Sequence, residues 1–449
     1  MKSAPASSPL DLASEFMAHA QRAGADAADV LCVHSTDLNC SIRHAKPETL
    51  ERSESFGLGL RVFVGGATAS VSISEFSTHT MESMAQNAIA MARATPPDNF
   101  AALAPANMLA RHCPDLDLYD AVEPSLAELQ SRCKLAEAKG LSHQGITNTE
   151  GADASYSTHN IALVTSHGAA FETRTSYSSL SLSLIAGGGN NMQRDYAYST
   201  ARHAEDLADP EAIGEEAAKR TLARLNPRKL TSASLPIIFD PRVSRSFVSA
   251  FSSSISGNAI ARGTSFLKDS LNKPVFTRGI HIIDDPQRQR GLASRAIDGE
   301  GLTTKKIALI DDGVLTTWLL DMRSANQLGL APTAHASRSL GGAPYPSTSN
   351  CYMAAGMQSP AVLMSDIKEG VYITETSGMG VNLITGDYSQ GAAGFMIRDG
   401  VVCEPVSEFT IAGHLRDMFM HLTPANDLSF IYATNAPTLR IDGMTIAGI

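Results

Sequence analysis

Histidine and carboxylate side chains could give this chain hydrolytic chemistry through a metal. A helical zinc peptidase site needs two histidines on one helix face and a glutamate that deprotonates the bound water. The chain has 13 histidines, but none is followed by glutamate and no two lie four residues apart. His414 and His421 lie seven residues apart near Asp417, so they could share a helix face, although two exposed polar positions explain the spacing better. His203 and Glu205 are too close in sequence to share one.

Serine chemistry is the second option. Ser265 and Lys268 fit S-x-x-K, in which a lysine one turn later could activate the serine. The run that starts at Ser324 loosely fits the companion S-D-N, but the chain contains no K-T-G and no G-x-S-x-G. Ser131 and Lys134 match S-x-x-K equally well, so the motif is not specific here. A serine nucleophile is therefore disfavoured, with Ser265 as its candidate.

Phosphate and cation sites are not predicted either. Gly187-Gly188-Gly189 lacks the frame of a phosphate-binding loop, and no G-x-G-x-x-G opens a helix. Gly57 and Gly59 lie within a strand pattern and indicate a bulge or a close-packing site. The pairs Asp284-Asp285 and Asp311-Asp312 are typical of turns and caps. Spacing alone thus yields no catalytic constellation.

Composition describes an acidic globular protein. The 449 residues carry a net charge of −10, with 43% hydrophobic and 18% charged residues. This length predicts two or more domains. The acidic balance argues against nucleic-acid binding, because phosphate contacts need clusters of lysine and arginine.

Targeting signals and cysteine usage favour the cytoplasm. The apolar runs, such as residues 307–310 and 431–433, are far too short to cross a membrane. The first nine residues contain no apolar stretch, so no signal peptide is expected. The six cysteines are scattered without a C-x-x-C pair, which favours reduced thiols and a cytoplasmic location.

The elements of the first half repeat one pattern. The first set is a helix opened by Ser8 and closed by Gly24, strands over residues 29–44, a hairpin turn at Gly65-Gly66 and a helix over about residues 80–94. The second set is a helix opened by the capping box Ser125–Glu128 and closed by Gly140, strands over residues 146–200 and a helix that begins after Asp209. Helix–strands–helix at 9–95 and 125–226 predicts a duplicated α/β layout, although no residue-level repeat is visible.

The predicted secondary structure changes after residue 231, from long helices and strands to mostly short strands. A strand at 235–239 leads into an apolar helix that begins at Asp240-Pro241 and ends near Ser254. Short strands follow at 307–311, 313–320, 370–376 and 395–403. The fold class predicted is α+β: a duplicated N-terminal α/β domain at residues 1–230 followed by a mostly antiparallel β sheet or barrel domain at 231–449.

A glycine-rich block at residues 378–394 marks strands joined by tight turns that need positive φ. Its sequence Gly380-Val381-Asn382-Leu383-Ile384-Thr385-Gly386-Asp387-Tyr388-Ser389 resembles the signature of the TldD/TldE (PmbA) family of bacterial peptidase-complex subunits. Three further blocks resemble this family in the right order, at residues 51–62, 296–301 and 437–448. The resemblance covers most of the chain and is strongest from Leu235 onward.

The resemblance implies that this chain lacks the zinc site of its family. In a TldD-type subunit, the helix after the first C-terminal strand carries H-E-x-x-x-H, and a cysteine near the end completes the site. The matching positions here are Val248, Ser249 and Ser253, and residues 427–437 contain no cysteine. Valine cannot bind zinc, and neutral serine replaces imidazole poorly. The chain thus resembles a TldE/PmbA-type subunit without catalytic or metal-binding residues or a cofactor of its own.

The implied function is that of the non-zinc subunit of a heteromeric zinc metallopeptidase. The family acts on unfolded peptides, in leader removal and antitoxin turnover. The expected partner is a TldD-like, zinc-bearing paralogue in a heterodimer, with a homodimer when the chain is alone, and with neither nucleic acid nor membrane as a partner. Strand edges of such a subunit could pair with the backbone of the substrate.

Contact with an unfolded peptide is assigned to the glycine-rich block, although tight turns in a barrel explain it at least as well. The candidate substrate-binding residues are Gly378, Gly380, Asn382, Thr385, Gly386, Asp387 and Ser389. Two rival classes stay open. One is an independent hydrolase with an unrecognised nucleophile, and the other is a non-enzymatic interaction protein, such as a regulator of a topoisomerase.

Overall fold

The computed structural model of the protein describes residues 8–448. Residues 1–7, on which the expectation of no signal peptide partly depends, and Ile449 lie outside this range. Within it, no helix is both long enough and apolar enough to span a membrane.

The N-terminal half is built twice on one plan. The elements are α1 (Pro9–Arg22), β1 (Ala27–Arg43), β2 (Lys46–Val64), β3 (Ala67–Ile73) and α2 (Thr78–Ala94), then α3 (Leu126–Leu141), β4 (Ile146–Thr165), β5 (Ala170–Ala186), β6 (Gln193–Ala201) and α4 (Pro210–Ala223). Antiparallel pairing of β1 with β4 joins both copies into one sheet, ordered β3-β2-β1-β4-β5-β6. The predicted duplicated layout is confirmed.

Local sequence signals set where these helices begin and where the chain turns between strands. Ser8 and Ser125 are the predicted N-caps of α1 and α3, and each closes a capping box, which we predict from the sequence only at Ser125. Gly65 and Gly66 both have positive φ, +58° and +81°, which a two-residue hairpin turn requires.

The prediction that Gly140 ends α3 is wrong, because the helix continues to Leu141. A Cβ atom at Gly140 would lie 2.8 Å from side-chain atoms of both Leu182 and Leu184. This glycine therefore serves the close packing of α3 on β5 instead of helix termination.

The C-terminal half contains shorter strands around one large hydrophobic core. Its elements are β7 (Ala233–Phe239), α5 (Pro241–Ser254), α6 (Gly257–Ala261), β8 (Ile282–Asp284), β9 (Ile307–Asp311), β10 (Val314–Leu315), α7 (Met322–Leu328), β11 (Ala336–Ser337), β12 (Tyr345–Pro346), β13 (Cys351–Met353), α8 (Pro360–Met364), β14 (Glu369–Ser377), β15 (Asp387–Arg398), β16 (Val401–His414), α9 (Leu415–Met420), β17 (Leu422–Pro424), β18 (Thr434–Asn435) and β19 (Leu439–Ala447).

Five of these strands close into a barrel. The neighbours run β16-β15-β14-β7-β19, and β19 returns to pair with β16, with Ala447 opposite Thr410. All pairings are antiparallel except that of β7 with β14. The predicted mostly antiparallel barrel is thus confirmed. Closure leaves these strands a partner on each side, because a barrel has no edge.

Two predicted strands are wrong in extent. Of residues 313–320 only Val314–Leu315 is a strand. The Thr316 hydroxyl donates to the backbone carbonyl of Ala308 at 2.5 Å, and such side-chain bonds compete with a regular ladder. Residues 395–403 belong to two strands, because Asp399 and Gly400, with φ of +47° and +79°, form a turn between them.

Buried charges fasten the two halves to each other. Asp29 in β1 accepts hydrogen bonds from Arg61 in β2 and lies 2.7 Å from a guanidinium nitrogen of Arg338 in the C-terminal half. Burial alone would raise the pKa of Asp29, but Arg338 and Arg61 outweigh it and lower that pKa. Beside this cluster, a Cβ atom at Gly59 would lie 1.7 Å from the carbonyl oxygen of Leu340. The close-packing interpretation of Gly59 is therefore confirmed.

Glu300 lies near the same buried charges and is only 4% exposed. Burial and the neighbouring Asp298 raise the pKa of Glu300 from 4.5 to about 8. The folded protein therefore binds a proton that the unfolded chain has lost between these two values. This group should make stability fall as pH rises through that window.

We expect Glu300→Gln to remove this pH dependence, because the amide cannot ionise and its oxygen can still accept the Met322 N–H bond of 2.8 Å. The variant should gain stability over the native chain as pH rises from 4.5 to 8, by at most about 1.4 kcal/mol per pH unit. Thermal unfolding across this range measures the difference, with the exposed Glu82→Gln as control. If the stabilities of the native chain and of Glu300→Gln change with pH in parallel, Glu300 is ionised in the folded state.

Candidate functional site

Helix α5 presents a polar face to an open cleft. Asp240 caps the helix, and its apolar face, which includes Phe247, is buried in the core. The amphipathic spacing leaves Ser249, Ser252 and Ser253 on the side of a cleft of about 450 Å³. These serines come from the helix to which the family resemblance assigns zinc ligands.

Distant segments form the rest of this α5 cleft. Arg262 and Thr264 follow α6, Ser347 and Thr348 precede β13, and Thr434 lies in β18. Thr434 belongs to residues 427–437, the stretch in which the resemblance places a zinc-binding cysteine. Both segments assigned metal ligands by resemblance therefore meet at one place.

The residues of the α5 cleft do not fit zinc. Val248 is fully buried in the hydrophobic core and does not line the cleft, whereas Ser249 and Ser253 do. Zinc prefers thiolate, imidazole and carboxylate, but this cleft offers neutral hydroxyls and the guanidinium of Arg262. Across residues 8–448, no group of three or more His, Cys, Asp or Glu side chains could hold a metal. The absence of bound zinc stays a prediction.

His414 and His421 do not share a helix face. His414 precedes α9 as its N-cap and His421 follows it as its C-cap. The Nε2 atom of His414 lies 2.9 Å from the carbonyl oxygen of Thr385, and its Nδ1 accepts from the backbone N–H of Arg416 at 3.2 Å. The first histidine is thus held by local backbone, and the hypothesis of a shared face is wrong.

The glycine-rich block folds back on itself before β15. The backbone N–H of Ser389 donates to the carbonyl of Gly380 at 2.7 Å, and a Cβ atom at Gly380 would lie 1.7 Å from the Ser389 oxygen. Gly386 is buried with φ +93°. The protein's own hairpin therefore accounts for these two glycines.

The other candidates of this block, Gly378, Asn382, Thr385, Asp387 and Ser389, are exposed. Asn382 accepts from the Ile384 N–H, and Thr385 donates to Asp387 at 2.6 Å. Their role in substrate binding stays a prediction.

Ser265 has no catalytic geometry. It is 2% exposed, and its hydroxyl donates to the Ser254 carbonyl at 2.6 Å and accepts from the Leu267 N–H at 3.0 Å. Lys268 is exposed. Ser324 is likewise buried in the capping box of α7. These hydroxyls stabilise local turns: that of Ser265 bonds to the backbone, and that of Ser324 donates to the capping carboxylate of Asp321.

A larger cavity of about 870 Å³ lies between the N-terminal sheet and the C-terminal half. It shares Ser347 and Thr348 with the α5 cleft, so the two spaces adjoin. On its far side it shares Ile161, Thr173 and Arg295 with a third cavity of about 200 Å³. The three spaces are thus neighbours along the junction of the two halves.

Sequence reasoning missed the residues of this central cavity. His159 and Tyr177 come from neighbouring strands, whereas Arg202 follows β6 and Arg295 lies in the C-terminal half. Arg202 is 2% exposed, stacks 3.9 Å above the Tyr177 ring and donates to the Leu292 carbonyl at 2.6 Å. Burial lowers the pKa of His159, although Asp37 opposes this, so burial favours its neutral form. The alternation along β5 predicts which side chains share a face, but not what faces them.

Comparison with known proteins identifies related sequences along most of the chain. Family models described as PmbA/TldA metallopeptidase domain 1, central domain and C-terminal domain match residues 28–92, 119–225 and 232–448. The chain is 36% identical to the metalloprotease PmbA of Escherichia coli O157:H7 over 427 residues, which cover 94% of this chain and 92% of that one. It is 33% identical to the PmbA homologue of Haemophilus influenzae, over 96% of this chain and 94% of that one.

Solved structures share the same fold. A Bacteroides thetaiotaomicron protein, proposed to modulate DNA gyrase, superposes with a TM-score of 0.90 at 26% identity, covering 98% of each chain. TldE from Thermococcus kodakarensis superposes with a TM-score of 0.86 at 19% identity, covering 97% of this chain and 100% of that one. At 19% identity the second likeness supports the fold alone.

We expect Ser265→Ala to lower the free energy of unfolding by about 1–2 kcal/mol, because it leaves the buried Leu267 N–H without its acceptor. Chemical denaturation measures this loss. A fluorophosphonate probe should not label the native chain at Ser265, since the hydroxyl is enclosed and has no base. A stoichiometric adduct at Ser265, found by peptide mass spectrometry, would instead support an independent serine hydrolase.

Proposed function

Because the chain belongs to the PmbA/TldD family of metallopeptidases, we propose that it is the TldE/PmbA-type, metal-free subunit of a two-component zinc peptidase. A TldD-like paralogue would bind the zinc, and the substrate would be unfolded peptide, as in leader removal or antitoxin turnover. The observation that carries this proposal is the α5 cleft, where the hydroxyls of Ser249 and Ser253 stand at two of the positions matched to zinc ligands and Arg262 lies beside them. Zinc in the partner would activate water for hydrolysis.

The contribution of this chain would be to hold and admit the peptide. The α5 cleft and the central cavity adjoin at Ser347 and Thr348, which gives an extended chain a path and leaves little room for a folded domain. Hydroxyls along the cleft can donate to and accept from peptide groups of any sequence. Binding in this way positions a substrate without taking part in bond cleavage.

Three carboxylates and three guanidinium groups border the central cavity: Asp115, Asp117, Glu172, Arg174, Arg202 and Arg295. Such balance favours neither acidic nor basic peptides strongly. It is compatible with the broad acceptance of unfolded substrates that this function needs.

A cytoplasmic location is part of the proposal. All six cysteines are free, and four of them, Cys32, Cys40, Cys133 and Cys351, are buried. Burial raises the pKa of the Cys32 thiol to about 12, so this thiol stays protonated and unreactive at neutral pH. Reduced, inert thiols of this kind are typical of cytoplasmic proteins.

A non-enzymatic interaction protein is the second candidate, and the name of the Bacteroides relative favours it. The net charge of −10 argues against direct contact with DNA but not against contact with a protein. A complex that forms with the paralogue and never cleaves peptide would favour this candidate.

We expect the purified chain to hold no stoichiometric zinc and to cleave no unfolded peptide alone, because its cleft offers no suitable ligand set. Addition of the zinc-bearing paralogue should produce cleavage that a chelator abolishes. Elemental analysis and a fluorogenic peptide assay measure both. About one tightly held zinc per chain, or peptide cleavage by the lone chain in the presence of chelator, would contradict the proposal.

Association should depend on the C-terminal half, residues 235–449. Met379 and Ile384 on the glycine-rich block are 100% and 60% exposed, as expected for apolar residues of an interface. We expect a contact that buries about 2,000 Å² or more, and a homodimer through the same patch when the chain is alone. Both states are measured by sedimentation.

The double variant Met379→Asp and Ile384→Asp should weaken the complex with the paralogue at least about tenfold, because two charges would be buried in an apolar contact. Val122→Asp is the matched control, since Val122 is 71% exposed but lies in the N-terminal half. Equal affinities of both variants would place the interface elsewhere. A lone chain that stays monomeric and binds no paralogue would refute the association altogether.

A further inference from the structure

The N-terminal sheet is apolar where it borders the third cavity. Its opposite face packs against α1 and α2, and Val30 and Cys32 lie in that core. Because side chains alternate along a strand, the residues next to these two face the C-terminal half. On the neighbouring strands β1, β4 and β5, five such apolar residues line the cavity of about 200 Å³: Leu31, Val33, Ile161, Leu163 and Phe171.

Two guanidinium groups from the C-terminal half border the same cavity. The side chain of Arg338 is only 2% exposed, and its Nε and Nη1 atoms have no hydrogen-bond partner in the described chain. The Nε atom of Arg295 is also buried without a partner there, although another nitrogen of this group donates to the Ser347 carbonyl at 2.9 Å. Buried polar groups are nearly always paired, so these nitrogens indicate a ligand that supplies acceptors.

The balance of charge favours an anion as this ligand. Asp29 is shared by the guanidinium groups of Arg61 and Arg338. Asp298 also lines the cavity, but its two oxygens accept from three backbone N–H groups at 2.9 to 3.1 Å. Burial raises the pKa values of both Asp298 and Glu300, which favours their neutral forms. An anion in the cavity would supply negative charge that these carboxyl groups lack.

Size and lining narrow the choice of anion. A cavity of about 150 Å³ can hold a benzene ring, so this one has room for one group of the size of a leucine or phenylalanine side chain. Guanidinium groups bind carboxylates through paired hydrogen bonds. The cavity adjoins the central cavity at Ile161, Thr173 and Arg295. A longer chain attached to the ligand therefore has room to continue there.

We propose that the third cavity binds a carboxylate carried by a single apolar group. The carboxylate lies on Arg295 and Arg338, and the apolar group packs on Leu31, Val33 and Leu163. A peptide that ends in leucine or phenylalanine presents these two groups at its C-terminus, and a small free acid presents them as well. The chemistry of the cavity stands alone, whereas its assignment to the end of a peptide rests on the proposed function.

The probe is a short, unstructured peptide that carries fluorescein at its N-terminus and ends in leucine, either as the free acid or as the amide. Anisotropy should show that the native chain binds the acid at least about tenfold more tightly than the amide, because only the acid forms charge-assisted hydrogen bonds. A free-acid peptide that ends in glycine should also bind at least about tenfold more weakly, because it lacks the apolar group. Unlabelled N-acetyl-leucine should displace the leucine acid.

Variants locate the binding. Arg295→Gln should abolish the preference for the acid, and so should Val33→Phe, which fills the apolar part and leaves every arginine in place. Arg338→Lys keeps a positive charge beside Asp29 and should weaken binding of the acid. Arg174→Gln is the matched control, since Arg174 borders the central cavity but not the third, and it should keep the native preference. Circular dichroism and thermal unfolding check that the variants fold.

The possible failures are distinguishable. Equal affinities for acid and amide, or a preference that persists in both Arg295→Gln and Val33→Phe, would refute the cavity as the site. Binding of N-acetyl-leucine without binding of the peptide acid would leave the cavity as a site for free acids and overturn its assignment to a peptide end.

The cleaving complex separates this proposal from the proposed function. If it cleaves the acid and the amide with one KM, the peptide-end assignment is wrong and the proposed function stands. If no peptide is bound or cleaved while N-acetyl-leucine binds with the expected response to the variants, the proposed function fails and the cavity remains a carboxylate site.

Discussion

The buried contact between Asp29 and two guanidinium groups is the constraint on which the rest of the structure depends. Arg61 comes from the same sheet as Asp29, whereas Arg338 comes from the C-terminal half. Removal of Asp29 would leave two buried guanidinium groups without the carboxylate they share, which costs several kcal/mol. The carboxylate therefore ties the two halves together beside the third cavity, which Arg338 lines.

Much of the fold could be predicted, because many of its helices and turns are set by capping and turn residues close by in the sequence. The serine caps at Ser8 and Ser125 and the glycine pair at Gly65-Gly66 act within a few residues, so they can be recognised from the sequence. The errors have the opposite cause. The local pattern at Gly140 predicts a C-cap, but its packing partners, Leu182 and Leu184, lie about forty residues away in the chain.

The site was less accessible to sequence reasoning. Resemblance led to Ser249 and Ser253, which line the α5 cleft, but it also led to Val248, which faces the core. The central cavity draws on β4, β5, the segment before α3 and two loops of the C-terminal half, and none of these carries a motif. Only the tertiary arrangement joins Arg202 to Tyr177, or brings Arg295 and Arg338 to one cavity on the sheet.

Closure of the barrel also governs how this chain can fold. In the first sheet all neighbours except β1 and β4 are strands that follow one another, so most of its pairings close short loops. The barrel instead needs β19 beside β7, with Leu439 opposite Phe239, a separation of 200 residues. Closing so long a loop is entropically costly and slow. Until β19 pairs, the sheet β16-β15-β14-β7 stays open, and one edge each of β7 and β16 is available for pairing with another chain.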